Sequence, residues 1–172
     1  SLKKYVNGRL DTTQDRAIIS LLSKERLLEL TQFFIVYDGN IKKICRYQQY
    51  FAVKEIIKTI NQNDIRCKRQ GGVIWHTQGS GKSITMVMLA KFLLMKLAGQ
   101  PKIVVVTDRK ELDKQIAQTF AHTRLKPARA TSGRHLITLI NSDAVDVVTA
   151  IINKFNTVEN SGLKNYSRDI FV

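Results

Sequence analysis

The sequence predicts an α/β fold: a parallel sheet flanked by helices, preceded by a helical segment and a β-hairpin. Three observations carry that prediction. From residue 72 onward, short apolar runs alternate with stretches of helical periodicity, the pattern of successive β-α-β units. Ile103-Val-Val-Val-Thr107 is apolar without alternation, as in a strand covered on both faces. Val73-Ile74-Trp75 passes through a small-residue loop directly into a helical pattern, so a strand end, a loop and a helix start coincide.

The elements follow in chain order. Residues 11–31 carry an apolar stripe of Ile18, Ile19, Leu21, Leu22, Leu27, Leu28 and Leu30, and Ser20 or Ser23 divides the stretch into two helices. Phe33–Tyr37 and Ile41–Arg46 flank Asp38-Gly39-Asn40, a strong hairpin turn. Gln48 to Ile60 is helical, and polar, basic 61–72 connects it to a strand at 73–76. A helix over 82–98 ends at Gly99-Gln-Pro101. After the 103–107 strand, 108–121 reads as a helix with Leu112, Ile116 and Phe120 at spacing four. A short strand near 128–130, a helix at 132–141, a strand at 145–152, a loop over 153–167 and a last strand at 169–172 complete the chain.

At 172 residues the chain is long enough to bury one substantial core. No apolar run approaches the ~18 residues that span a bilayer, and the first residues have no signal-peptide pattern, so the expected setting is cytoplasmic, without a membrane partner. Cys45 and Cys67 form no Cys-x-x-Cys and read as free thiols, while His76, His122 and His135 are too scattered for a metal cluster. The net charge of +14 favours a polyanionic partner. Arg124, Lys126, Arg129 and Arg134 lie in a stretch with no acidic residue between Lys114 and Asp143.

Gly72-Val-Ile-Trp-His-Thr-Gln-Gly-Ser-Gly-Lys-Ser83 is the most specific segment. Gly79 and Gly81 permit backbone conformations closed to residues with a Cβ, so several N–H groups can converge on one anion. The following helix adds its unpaired first-turn N–H groups and its positive dipole end. This is the layout of a phosphate-binding P-loop. Thr77, Gln78, Gly79, Ser80 and Gly81 supply the cradle. Lys82 stabilises the β and γ phosphates of ATP, and Ser83 ligates the accompanying Mg²⁺. The strict pattern has glycine where this chain has His76.

Three further segments narrow the class. Arg46-Tyr-Gln-Gln49-Tyr-Phe-Ala52 resembles the Q motif of superfamily 2 helicases, in which a glutamine reads adenine; Gln49 holds that position. A side-chain amide donates and accepts at once, matching adenine's amine and ring nitrogen. Val104-Val-Val-Thr-Asp-Arg-Lys-Glu-Leu-Asp-Lys-Gln115 resembles helicase motif Ia, in which the turn meets the DNA backbone. Thr107 and Arg109 stand at a strand end and helix start, able to donate to a phosphate; Asp108 is also placed to cap that helix. Val148-Thr-Ala-Ile-Ile-Asn-Lys-Phe155 resembles the Thr-Thr-Ile-Gln-Lys-Phe stretch in the motor subunit of type I restriction enzymes, with Thr149, Lys154 and Phe155 matching and Ala150 and Asn153 departing. The P-loop of that family also resembles Ile74–Ser83, His76 included. Leu21-Leu-Ser-Lys-Glu-Arg-Leu-Leu-Glu-Leu30 and Phe33–Tyr37 resemble the segment before the motor.

The resemblance spans about residues 15 to 172 and implies a definite set of properties. Residues 1–46 would be a linker and hairpin, and 47–172 the first RecA-like lobe of an ATP-dependent DNA translocase and endonuclease subunit. Thr107, Arg109, Thr149 and Lys154 would touch double-stranded DNA through its backbone, without sequence preference. Methyltransferase and specificity subunits would be its partners. An Asp-Glu pair, which such motors use to hold Mg²⁺ and orient water, occurs nowhere in the sequence. The second lobe with its arginine finger and the nuclease carboxylates are likewise absent, so the chain is expected to be part of a larger subunit, binding nucleotide and DNA weakly without turnover. Two other readings stay open: a lobe of another superfamily 2 helicase or translocase, and a non-catalytic nucleic-acid-binding module with a degenerate P-loop.

Overall fold

A computed structural model describes residues 12–62, 69–97, 99–160 and 169–172. The chain enters helix α1 (Thr13–Leu22) through a reciprocal cap: the Asp15 N–H donates to Thr12 Oγ1 at 3.1 Å, and the Thr12 N–H donates to the Asp15 carboxylate at 3.0 Å. Of the two serines the sequence offers as a divide, Ser23 breaks the helical path, and α2 (Lys24–Phe33) begins at the next residue. Strands β1 (Ile35–Asp38) and β2 (Ile41–Ile44) pair antiparallel around Gly39, whose φ of 61° suits the turn. Helix α3 (Tyr47–Ile60) follows.

The second half alternates as its periodicity predicts. It contains α4 (Lys82–Lys96), β3 (Lys102–Thr107), α5 (Lys110–His122), β4 (Ala128–Arg129), α6 (Gly133–Ile140), β5 (Val147–Ile151), a 3-10 turn (Ile152–Lys154), α7 (Phe155–Asn160) and β6 (Ile170–Phe171). The sheet runs β4-β5-β3-β6, every pair parallel, with Ile103 beside Val147 and Thr107 beside Ile151. Helices flank it in a RecA-like arrangement. All five residues of β5 are buried, which explains why its sequence shows no alternation.

Two apolar clusters hold the elements together. Phe33, Phe34 and Val36 pack with Tyr50 and Val53 of α3, Val87 and Met88 of α4, and Ile116 and Phe120 of α5. The segment ahead of the sheet therefore shares a core with the helices that bracket the glycine loop. Leu136 and Leu139 of α6 pack on Val148 and Ala150 of β5.

Three expectations are corrected. The strand expected at 73–76 does not form; none of the described strands pairs with it, and Val73 and Trp75 are 95% and 90% exposed. An apolar run becomes a strand only where a ladder neighbour accepts its N–H and C=O groups, and this run has none among the described residues. The loop expected over 153–167 begins instead with the 3-10 turn and α7, while 161–168 lie outside the described residues. Arg109, rather than Asp108, takes the N-cap position of α5, without a side-chain cap bond. Cys45 is a free thiol, and Cys67 lies outside the described residues.

Candidate functional site

The glycine loop sits at the amino end of α4, a helix of 15 residues. Gly79 and Gly81 both adopt left-handed backbone, with φ of 77° and 84°. No atom approaches within 4 Å of where a Gly79 side chain would stand, so glycine is required there by conformation and not by crowding. A Cβ at Gly81 would meet Gln49 Nε2 at 2.7 Å, so both conformation and space require glycine there. His76 lies outside the left-handed region, since Arg124 alone among the described non-glycine residues has positive φ. Position 76 therefore does not need glycine. Its carbonyl, with that of Thr77, accepts from Lys82 Nζ, each bond 2.9 Å long. Its ring Nδ1 lies 3.3 Å from Ser80 Oγ.

Lys82 thus reaches back across the loop to the carbonyls where the loop begins. The Ser80 hydroxyl donates to the Thr77 carbonyl at 2.7 Å and tightens the same turn. An ammonium with three donors can release these neutral acceptors for a phosphate, since charge-assisted bonds are about twice as strong as neutral ones. Ser83, half-buried, follows one position further into the helix.

Gln49 lies in the first turn of α3 and is buried against this loop at 5% exposure. Its Oε1 accepts from the Arg46 N–H at 2.8 Å. Its Nε2 stands 3.1 Å from both the Gly81 carbonyl and Thr85 Oγ1, and 3.4 Å from the Ser80 carbonyl. The Thr85 hydroxyl in turn donates to the Gly81 carbonyl at 3.1 Å. One amide therefore ties α3 to the loop and to the first turn of α4. A cleft of about 420 Å³ opens beside it, lined by Arg46, Gln48, Trp75 and the loop from His76 to Ser80. Gln48, Trp75 and Thr85 are not evident from the motif spacing. Arg46 is, because it begins the same Arg-x-x-Gln pattern.

The other expected residues gather at the carboxyl ends of the parallel strands. Thr107 ends β3 and is 6% exposed; its hydroxyl lies 3.4 Å from the Arg109 carbonyl. The Arg109 side chain is 78% exposed, 3.4 Å from Asp108. Thr149 is fully buried in β5 and its hydroxyl has no hydrogen-bond partner among the described residues. That burial keeps Thr149 from meeting a phosphate directly in this conformation, contrary to the sequence expectation. Lys154 leaves the 3-10 turn after β5 and donates to the Ala130 carbonyl. Arg109 and Lys154 thus emerge from adjacent strands, since Thr107 and Ile151 are register partners.

An ion pair with one buried partner lies between α5 and β4, unannounced by any motif. Arg129 of β4 bonds Asp113 of α5, whose side chain is wholly buried. Asp113 Oδ1 and Thr149 Oγ1 are buried without hydrogen-bond partners among the described residues, and Arg129 is the register partner of Thr149. No group of three or more metal-ligating side chains occurs among the described residues.

Such a loop, tied by a glutamine at the head of a parallel sheet, defines a nucleotide-binding P-loop lobe. A family model described as SWI2/SNF2 ATPase matches residues 48–172, and the chain belongs to that family. Its relatives include endonuclease subunits of type I restriction enzymes. It is 44% identical over 108 residues to the HindI endonuclease subunit of Haemophilus influenzae, covering 59% of this chain and 10% of that one. It is 36% identical over 160 residues to a Methanocaldococcus jannaschii protein named as the MjaIXP endonuclease subunit, covering 90% and 15%. A second protein of that organism, named for MjaVIIP, is 35% identical over 128 residues, covering 69% and 12%. The chain thus spans 10 to 15% of the length of these relatives.

Proposed function

We propose that this chain is the ATP-gripping lobe of a type I restriction subunit that moves double-stranded DNA and cleaves it through a separate nuclease centre. The observation that carries the reading is Lys82 at the first position of α4, directly behind two left-handed glycines. The loop amides and Lys82 bind the triphosphate, and Ser83 offers its hydroxyl to Mg²⁺. The bound ion neutralises phosphate charge. The cleft lined by the loop from His76 to Ser80 leaves room for that anion. Gln49 links occupancy of the loop to α3 and, through the spare lone pair on its amide oxygen, recognises the adenine amine. Residues 1–46 act as the linker and 47–172 as the lobe, working in the cytoplasm with methyltransferase and specificity subunits.

Arg109 and Lys154 meet DNA phosphates; Thr107 closes the strand from which Arg109 projects, and the buried Thr149 packs within β5. No Asp-Glu pair occurs in the sequence to order an attacking water, so this chain binds nucleotide without turning it over. Equilibrium binding to a fluorescent 30-base-pair duplex, together with a phosphate-release assay, tests this. Affinity should be equal for unrelated sequences and fall along a linear log–log salt plot. Arg109→Gln should shallow that slope by about 1. Sequence-selective, salt-insensitive binding, or ATP hydrolysis abolished by Lys82→Ala, would contradict the reading.

A further inference from the structure

A second concavity, of about 680 Å³, lies away from the glycine loop, between the β-hairpin, α4 and the turn after α5. Its apolar floor includes the buried Val36 and Val87 with Leu94 and Leu125, and the exposed Lys42 and Arg124 and the half-buried Lys91 line it too. No carboxylate lines it among the described residues. Asp38, at the end of β1, is taken up by Lys43 and by His122, whose Nδ1 lies 3.1 Å away. Lys91 is the most informative of the three cations. Its ammonium bonds the Ile35 carbonyl at 3.3 Å and forms no ion pair with a described carboxylate, while burial lowers its pKa. A half-buried cation facing an apolar groove without a counter-charge is costly until an anion arrives. Arg124 adds a second observation: it is the only described non-glycine residue with positive φ, at 67°. A left-handed arginine is uncommon; here it follows the C-cap of α5, its N–H donating to the Ala121 carbonyl at 3.2 Å, and it lines the groove.

We propose that this groove docks a short protein segment carrying carboxylates for Lys42, Lys91 and Arg124 and apolar side chains for the floor between them. Charge complementarity selects that occupant. A second copy of this chain, itself at +14, is repelled. A nucleic-acid backbone satisfies the cations but leaves the apolar floor unfilled, whereas a carboxylate-bearing apolar segment satisfies both.

The test measures fluorescence anisotropy with the 172-residue chain and a fluorescein-labelled 12-residue peptide alternating Glu and Leu pairs. Its Gln/Leu counterpart and a 12-base-pair duplex serve as competitors. The Glu/Leu peptide should bind saturably, at least about tenfold tighter than the Gln/Leu peptide. Lys91→Met and Arg124→Gly should each weaken it about tenfold, and Lys58→Gln, which removes one exposed charge elsewhere, should leave it unchanged. Arg124→Gly suits a φ of 67° better than arginine, so its loss of binding should come without a lower melting temperature. Equal losses from Lys58→Gln and Lys91→Met would show general attraction to a basic protein and overturn the proposal. So would Gln/Leu binding as tight as Glu/Leu, displacement of the peptide by an equimolar amount of the duplex, or a chain that dimerises through this face.

Discussion

Gln49 shows how one side chain can carry two links of the chain from sequence to function. Its Oε1 fixes the start of α3 through the Arg46 N–H, and its Nε2 holds the Gly81 carbonyl and Thr85 of α4. Removing it strands buried acceptors on the loop, at a cost of about 1–3 kcal/mol. Gln49→Ala should therefore lower the melting temperature and weaken nucleotide binding together. Gln49→Glu keeps the shape but places a carboxylate against the Gly81 carbonyl, so it should be worse than alanine for ATP. Thermal melts and nucleotide titrations on both variants check this; unchanged affinity in either would separate Gln49 from the loop. Gly81→Ala should fail more severely, because the backbone is left-handed and the Gln49 amide already fills the space. His76 carries the complementary lesson. The loop uses its carbonyl in a backbone conformation any residue adopts, so the departure from the strict P-loop pattern costs the site nothing.

At the scale of elements, two junctions decide how firmly the site is held. The first joins α2 to α3. Tyr50 donates to Glu29, and Lys54 pairs with the same carboxylate at 2.6 Å. Burial raises the Glu29 pKa but is outweighed by hydrogen bonds from Lys54 and Tyr50, which hold it below its usual 4.5. Its contribution to stability is present above about pH 4.5 and is lost as pH falls through the folded pKa. Burial, then Glu29, pushes Tyr50 up to about 12 from 10.0, so its contribution is present below pH 10 and is lost as pH rises toward 12. Tyr50→Phe should cost about 1–2 kcal/mol at neutral pH and flatten the wild-type loss of stability on the alkaline side. Denaturant melts across pH read both effects. The second junction joins α6 to α7, where a Cβ on Gly133 would meet Thr157 Cβ at 2.3 Å and the Lys154 carbonyl at 2.8 Å. Gly133→Ala should cost about 1–3 kcal/mol and displace Lys154, weakening DNA binding with little effect on nucleotide.

Most of these elements were legible because their signals are local. The break at Ser23, the Asp-Gly hairpin, and the Ser132 cap of α6, whose hydroxyl accepts from the His135 N–H at 3.1 Å, all follow from residues within a few positions. The illegible features depend on distant chain. Val73-Ile74-Trp75 has strand composition, but a strand needs a neighbour that composition does not supply. Lys102 lies outside the apolar run that marks β3 in the sequence, yet it opens the strand, is 8% exposed, and its ammonium caps α6 through the Leu139 carbonyl at 3.1 Å. The burial of Thr149 and the Asp113–Arg129 pair arise from packing between α5, β4 and β5, which no spacing reports.

For the whole molecule, charge and topology point the same way. The parallel sheet brings the ends of β3 and β5 together, and Arg109 and Lys154 project from that edge. A net charge of +14 favours polyanionic partners without selecting among them, so any specificity has to come from shape and from the loop. The hairpin side offers a different surface, apolar at its floor and lined by cations, suited to a protein rather than a phosphate backbone. No helix among the described residues is long and apolar enough to cross a membrane. The central claim is that the 72–83 loop grips a nucleotide through Lys82. Titrating a fluorescent, non-hydrolysable ATP analogue with Mg²⁺ into the wild-type chain and into Lys82→Ala tests it most directly. The expected result is saturable binding to wild type, weakened at least tenfold by the substitution with the fold intact by circular dichroism. Equal binding by the two proteins, or none by either, would contradict it.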